Sequence, residues 1–224
     1  MANPAAIISA LLLPGLIAAQ ERVSFATQDG GLVYADVYGK GDRGVVLAHG
    51  GRFLKESWEK QARALAGAGF RSLAIDFRGE GQSRGGTQTR PPDEGRHLDV
   101  LAAVHHLRKT GARSVSVVGA SMGGDYAAEA AEVEPGQIDR LVLLAAGAYT
   151  PLIRMKGRKL FIMSRDDVIG DNQPRLPKIR EQYERAADPK GFVILDGSAH
   201  AQFLFATDQG ERLMREILHF LSAP

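Results

Sequence analysis

Residues 114–133 read SVSVVGASMGGDYAAEAAEV, and this segment is the strongest indication of the fold in the sequence. The β-branched run 114–118 is typical of a buried strand, and the alanine-rich stretch 125–131 is typical of a helix. Between them stands GASMGG at residues 119–124. A Gly-x-Ser-x-Gly motif between a strand and a helix is the pattern of a nucleophile elbow, a sharp turn that exposes its serine. We therefore predict that Ser121 is a nucleophile.

The same letters also allow a structural interpretation, in which Ser121 caps the helix that begins at Met122. Serine is favoured at helix N-termini because its hydroxyl oxygen accepts a hydrogen bond from the first turn. The two interpretations differ in what the rest of the chain must provide. A serine hydroxyl is hardly ionised at neutral pH, so a nucleophile needs a general base, an acid that orients the base, and amide donors for an oxyanion.

Candidates for these groups follow three other predicted strands. The apolar run 45–48 leads into His-Gly-Gly-Arg at residues 49–52, where glycine lets the backbone approach a substrate closely. The run 159–163 ends in Ser-Arg-Asp-Asp, and the run 191–195 ends in Asp-Gly-Ser-Ala-His. Serine, aspartate and histidine thus occur in that order, each just past a strand, which is a known chain order for such groups.

Four segments together give the chain a resemblance to the α/β-hydrolase family, from about residue 21 to the C-terminus. They are HGGR at 49–52, DFRGEGQS at 76–83, GASMGG at 119–124, and SRDD with GSAH at 164–167 and 197–200. The resemblance implies a serine hydrolase that works through an acyl-enzyme on Ser121 and needs no cofactor.

The resemblance also implies the roles of two further side chains. In this family the acid usually lies three residues past a small residue that closes its strand, which is Ser164 in this chain. This places the acid at Asp167, with Asp166 as the alternative. His200 then acts as the base that takes the proton of Ser121.

Backbone amides at two turns are the predicted oxyanion donors. They belong to Gly51 and Met122, with Arg52 as the alternative to Gly51. His49 lies on the same turn, and we expect its ring to bond to local backbone instead of acting as the base. Asp76 begins a turn after a predicted strand, and we expect it to join a structural hydrogen-bond network.

Strand-like and helix-like segments alternate along the chain, which predicts an α/β fold with a mostly parallel twisted sheet of about eight strands and helices on both faces. The runs 23–27 and 32–38 flank a glycine-rich turn and predict an antiparallel N-terminal edge. We expect a single α/β-hydrolase domain over residues 21–224. The segment 146–158 has only thirteen residues, too few for a cap domain.

A site without a cap suits small, accessible substrates, so our first hypothesis is a short-chain carboxylesterase. An acyl thioesterase or a serine peptidase of the same fold would use the same residues. The non-enzymatic alternative is a ligand-binding protein on a hydrolase scaffold. Candidates for the wall of the substrate pocket are Arg52, Phe53, Trp58 and Tyr149, although Trp58 also fits the buried face of a helix.

Composition excludes several other functions. The 28 Lys and Arg residues nearly balance the 26 Asp and Glu residues, so nucleic acid is not an expected partner. The chain has no cysteine, which excludes disulfides, zinc thiolate sites and a cysteine nucleophile. His97, His105 and His106 lack carboxylates at ligand spacing, so we expect no metal. The expected partner is a small-molecule ester, and the oligomeric state stays open.

Residues 1–20 are expected to form a signal peptide or an N-terminal helix. Their apolar runs 7–13 and 16–19 are uncharged and too short to span a bilayer, so no stable membrane span is expected. Small residues near position 19 are typical of a cleavage site, although no Lys or Arg precedes the apolar core. We favour export through a cleavable signal, and the alternative is a helix retained on a cytoplasmic protein.

Overall fold

The computed structural model of the chain describes residues 20–86, 94–147, 149–169 and 172–223. The predicted signal peptide or helix at 1–20 therefore lies outside the described residues, except for Gln20. Within the described ranges, no helix combines the length and the apolar character that crossing a membrane requires.

Eight strands form one twisted sheet whose middle is parallel. The strands are β1 (Glu21–Ala26), β2 (Leu32–Tyr38), β3 (Arg43–Ala48), β4 (Phe70–Ile75), β5 (Ser114–Ala120), β6 (Arg140–Leu144), β7 (Arg158–Ser164) and β10 (Lys190–Leu195). Their order is β1-β2-β4-β3-β5-β6-β7-β10. Strand β2 pairs antiparallel with both β1 and β4, whereas all other neighbours pair in parallel. The predicted sheet and its antiparallel N-terminal edge are confirmed.

Helices cover both faces of this sheet. They are α1 (Glu59–Gly67), α2 (Arg96–Lys109), α3 (Met122–Val133), α4 (Leu176–Arg185) and α5 (Gly210–Ser222). Helices α2 and α3 pack against each other, and α1 and α5 border a common groove. Short 3₁₀ turns precede α1 and α5, at Lys55–Trp58 and Ala201–Ala206.

The segment after β7 does not pass directly into a helix. A short hairpin of β8 (Val168–Ile169) and β9 (Gln173–Pro174) comes first, and α4 begins only at Leu176. Pro177 in the first turn is consistent with this start, because a helix needs no N–H bond there. The hairpin turns the chain back so that Arg175 lies next to Asp167.

The central strands are apolar on both faces and are fully buried, as parallel strands between helix layers require. Trp58 lies in this core, where its ring contacts Phe205 edge-on. Burying one such large side chain contributes about 2 to 3 kcal/mol. Trp58 therefore supports the scaffold and does not line a pocket.

The connection between β6 and β7 is short, and it begins at the same end of the sheet as Ser121. Its described residues, 145–147 and 149–157, contain neither helix nor strand. No helical cap therefore arises from the described part of this connection, in agreement with the expectation from its length.

Candidate active site

Ser121 occupies a sharp turn between β5 and α3. Its backbone has φ +47° and ψ −120°, a conformation that costs a non-glycine residue about 1–3 kcal/mol. A Cβ atom on Gly119 would lie 2.5 Å from the Cα atom of Gly124, and one on Gly123 would lie 2.4 Å from the carbonyl oxygen of Ala48. Only glycine fits at these two positions. The Ser121 side chain makes no capping hydrogen bond, so the helix-capping interpretation is wrong.

Ser121, His200 and Asp167 form a continuous chain of hydrogen bonds. The Nδ1–H group of His200 donates to Oδ2 of Asp167 at 2.7 Å, which leaves Nε2 to accept from the Ser121 hydroxyl at 2.8 Å. The Asp167 side chain is 1% exposed and that of His200 is 33% exposed. Asp166 is exposed to solvent. Of the two carboxylates that the sequence left open, Asp167 is the one in contact with His200.

The pairing of β7 with β10 explains how residues 33 positions apart come together. The strands run in parallel with Ser164 opposite Leu195, so both leave the sheet at the same end. The hydroxyl of Ser164 then donates to the carbonyl of Ala199, and the N–H of Asp166 donates to the carbonyl of Gly197 at 3.0 Å. These bonds hold the loop after β7, at residues 165–167, against the loop after β10, at residues 196–200.

Arg175 is a second neighbour of Asp167 that sequence reasoning missed. Its Nε atom lies 3.6 Å from Oδ2 of Asp167, and its backbone N–H donates to the Asp167 carbonyl at 2.9 Å. Its Nη2 atom donates to the carbonyl of Ala145 at 3.1 Å, which ties it to the end of β6. A buried carboxylate needs a compensating charge, and Arg175 provides one. No motif indicated this residue, because the β8–β9 hairpin sets its position.

His49 lies fully buried below the turn that follows β3. Its Nδ1–H donates to the carbonyl of Gly50 at 2.8 Å, and its Nε2 accepts from the N–H of Phe77 at 3.3 Å. Burial lowers the pKa of His49, and the bond to Gly50 only partly offsets this effect. The ring is therefore neutral at pH 7 and acts on local backbone, as the sequence predicted.

The two predicted oxyanion residues are neighbours in space. A Cβ atom on Gly51 would lie 3.7 Å from the sulfur of Met122. Met122 is the first residue of α3, where backbone N–H groups have no acceptor within the helix and can bind an anion. Arg52, the alternative donor on the turn, is exposed. The turns that carry Gly51 and Met122 therefore meet beside Ser121.

Buried ion pairs fix the backbone around this turn. Asp76 accepts from the backbone N–H of Lys55 at 2.8 Å and pairs with its Nζ atom at 3.1 Å. Arg78 bridges Asp29 and Asp99, at 2.6 and 2.7 Å. Burial alone would lower the pKa of Arg78, but its bonds to the two carboxylates outweigh this and raise it. Asp76 is thus part of a structural network.

Two aromatic rings lie next to the site, on the segments that follow His200 and Gly50. Phe203 and Phe53 lie with their ring centroids 4.9 Å apart. The backbone N–H of Phe203 donates to the carbonyl of His200 at 3.1 Å, and Phe53 donates to the carbonyl of Gly50 at 3.0 Å. Phe203 remains 49% exposed. Aromatic rings at this place can contact an apolar part of a ligand.

Within residues 20–86, 94–147, 149–169 and 172–223, no group of three or more His, Cys, Asp or Glu side chains has the geometry to hold a metal ion.

Comparison with known proteins identifies the family of the chain. Residues 44–217 match a family model described as alpha/beta hydrolase fold. Over 188 residues the chain is 26% identical to ABHD14B of Rattus norvegicus, which its name associates with protein-lysine deacylation; the match covers 80% of this chain and 84% of that protein. Over 123 residues it is 32% identical to the non-heme chloroperoxidase CPO-A1 of Kitasatospora aureofaciens, covering 54% of this chain.

The chain matches only 42% of the length of that chloroperoxidase. Among solved structures, the esterase Pf2001 of Pyrococcus furiosus is similar to the chain with a TM-score of 0.76 and 19% identity, over 98% of both chains. At this identity the likeness concerns the fold. Since the family model spans most of the sequence and the sheet has the matching topology, the protein belongs to the alpha/beta hydrolase fold family.

Proposed function

We propose that the protein is a serine hydrolase that cleaves carboxylic esters with short acyl groups through an acyl-enzyme on Ser121. The observation that carries this proposal is the hydrogen-bond chain from Ser121 through His200 to Asp167, at 2.8 and 2.7 Å. It is supported by the strained turn that presents Ser121, because such strain persists where the surrounding structure holds it for a function.

In the first step, Oγ of Ser121 attacks the carbonyl carbon of the ester while Nε2 of His200 takes its proton. Asp167 holds the ring of His200 and stabilises its positive charge. The electron pair of the carbonyl double bond moves to oxygen, and the N–H groups of Gly51 and Met122 donate to the resulting oxyanion. Donors of this kind are worth about 10²- to 10³-fold each in turnover.

In the second step, the tetrahedral intermediate collapses and the bond to the alcohol breaks. His200 gives its proton to the leaving alkoxide, which departs as an alcohol and leaves Ser121 acylated. Water then attacks the acyl carbon with His200 again as the base. Collapse of this second intermediate returns the proton to Ser121 and releases the carboxylic acid.

The preference for small esters is supported by the surroundings of His200. This side chain is one-third exposed, and the described part of the β6–β7 connection forms no cap over it. Phe53 and Phe203 offer an apolar surface beside it that suits an acyl chain or an apolar alcohol.

A second candidate function is removal of an acyl group from a lysine side chain. The similarity to ABHD14B, over 80% of this chain, favours it. The same three residues would act, but His200 would have to protonate an amine leaving group. Acyl thioesters and peptides are further candidate substrates, which the same three residues would cleave.

A substrate panel with covalent labelling tests the proposal. Nitrophenyl esters of increasing chain length, acyl thioesters and an acetyl-lysine peptide are compared, with a fluorophosphonate as the label. We expect fastest turnover of short esters, with label and turnover both lost in Ser121→Ala. Ser198→Ala is the matched control, since Ser198 is exposed on the His200 loop. Labelling that persists in Ser121→Ala would refute the proposal, and faster turnover of the peptide would favour deacylation.

A further inference from the structure

We propose that Gln202 is a positioning residue that holds the Gly50–Gly51 turn in the geometry required to bind the oxyanion. This inference rests on the proposed function, because an oxyanion forms only if Ser121 attacks a carbonyl. No motif in the sequence singled out Gln202, which lies two residues past His200.

Both ends of the Gln202 side chain are bound. Its Oε1 atom accepts from the backbone N–H of Gly50 at 2.8 Å, and its Nε2 group donates to the hydroxyl of Ser57 at 2.6 Å. The residue is 6% exposed. The hydroxyl of Ser57 in turn donates to the carbonyl of Leu54 at 2.6 Å. A buried amide with both ends satisfied has one orientation, because rotation would leave polar groups unpaired.

The approach of Gln202 depends on glycine at position 50. A Cβ atom on Gly50 would lie 3.1 Å from Oε1 of Gln202, closer than side chains normally come. Glycine allows this approach but also gives the turn wide backbone freedom, and Gly51 adds to it. The turn therefore needs external bonds to hold one conformation before a substrate arrives.

These bonds act on two successive peptide units. Gln202 holds the N–H of Gly50, whereas the carbonyl of Gly50 accepts from Nδ1 of His49 at 2.8 Å and from the N–H of Phe53 at 3.0 Å. A trans peptide is planar, with its N–H opposite its carbonyl. Fixing the carbonyl of Gly50 therefore fixes the direction of the Gly51 N–H, which is the proposed oxyanion donor.

Gln202 also links this turn to the proposed base. It lies in the 3₁₀ turn Ala201–Ala206, whose first bond runs from the N–H of Phe203 to the carbonyl of His200 at 3.1 Å. The same short segment thus sets the position of both His200 and the oxyanion turn. A donor aimed in advance stabilises the transition state more than the bound ester. Loss of Gln202 should therefore lower kcat and leave KM nearly unchanged.

The test compares Gln202→Met, which keeps the length of the side chain but removes its amide, with Gln182→Met. Gln182 is a buried glutamine on α4 and serves as the matched control. The concentration of active enzyme is measured as the concentration of sites that a fluorophosphonate labels when the labelling is complete. The kinetics are kcat and KM for a short nitrophenyl ester, together with the inhibition constant of a trifluoromethyl ketone, which forms an oxyanion on the serine.

We expect kcat of Gln202→Met to fall by about 10- to 100-fold, less than the full loss of one donor. KM should change by less than about threefold, and inhibition by the trifluoromethyl ketone should weaken by the same factor as kcat. Gln182→Met should match the wild type in all three constants. A merely structural role would instead lower the number of labelled sites and leave kcat per site unchanged.

A kcat per labelled site within about twofold of the wild type would overturn the inference, as would a lower kcat without weaker ketone inhibition. If Gln202→Met yields no labelled sites, Ser57→Ala replaces it. This variant keeps the bond from Gly50 to Gln202 and removes the acceptor of Nε2, together with the bond from Ser57 to the Leu54 carbonyl. It should show the same pattern at about two- to fivefold, and wild-type constants would then overturn the inference. Wild-type protein that neither turns over esters nor takes the label refutes the proposed function itself.

Discussion

Replacement of Gly123 by alanine should disable the site by moving the backbone of the Gly50–Gly51 turn. A Cβ atom at this position would lie 2.4 Å from the carbonyl oxygen of Ala48 and 2.5 Å from that of His49. Both neighbours are backbone atoms at the end of β3, so no side chain can rotate away to relieve the clash. The strand end and its turn must shift away from α3.

The size of the shift follows from the contact distances. Ordinary van der Waals contact of a Cβ atom begins at about 3.4 Å, so unstrained packing requires the carbonyls of Ala48 and His49 to retreat by about 1 Å. A misplacement of about 1 Å in a catalytic group costs about 10²-fold in rate. Overpacking of a tight interior costs about 1–3 kcal/mol of unfolding free energy. Gly123→Ala should therefore lose about 100-fold in kcat and about 1–3 kcal/mol in stability.

The assay combines urea unfolding with ester hydrolysis per labelled site. Gly67→Ala is the matched control, since Gly67 lies at the end of α1 with nothing within 4 Å of an added Cβ. Alanine is favoured over glycine in a helix by up to about 1 kcal/mol, so this control should keep its activity and not lose stability. A Gly123→Ala protein with wild-type kcat and stability would refute the steric reasoning.

Three further predictions concern other parts of the site. The bond from Arg78 holds the pKa of Asp29 at about 2 instead of 3.8, so the unfolded chain binds the proton first as pH falls. At pH 7, Asp29→Asn should therefore be less stable than the wild type by about 2 kcal/mol of unfolding free energy. In urea titrations this difference should shrink below about pH 4. A difference that stays constant with pH would contradict the prediction. Arg175→Met removes the cation beside Asp167 and should lower kcat about tenfold at constant KM, which corresponds to about 1.4 kcal/mol of barrier. Arg175→Lys should partly restore kcat, and unchanged kcat in Arg175→Met would contradict this role. Phe203→Ala should raise KM several-fold for long acyl chains but not for acetate, and equal effects on all esters would exclude contact with the chain.

The nucleophile turn was readable from the sequence because its determinants are local. A β-branched run, small residues around Ser121 and an alanine-rich stretch each act within a few residues, through rotamer and steric effects. Alternation of strands and helices likewise predicted the parallel sheet, since consecutive segments pack by general rules. In the structure, β5 ends just before Ser121 and α3 begins just after it, as predicted.

Contacts between distant segments were decided only by the tertiary structure. The resemblance implied Asp167 as the acid but left Asp166 as the alternative. The bonds between the loops after β7 and β10 are what bring Asp167, and not its neighbour, to His200. The β8–β9 hairpin similarly sets the position of Arg175. Loop paths of this kind depend on which backbone groups find partners across the sheet, and no short-range pattern records that.

Gln202 shows most clearly the difference between what the sequence predicts and what depends on the folded structure. In the sequence it is an ordinary polar residue near a histidine, and its partner Gly50 is 152 positions away. The sequence alone determined which chemical groups are present and which strand ends carry them. The packing of the 3₁₀ turn after β10 against the turn after β3 decided that the amide of Gly50 is the one held by Gln202, because hydrogen-bond geometry depends on distances that only the folded chain sets.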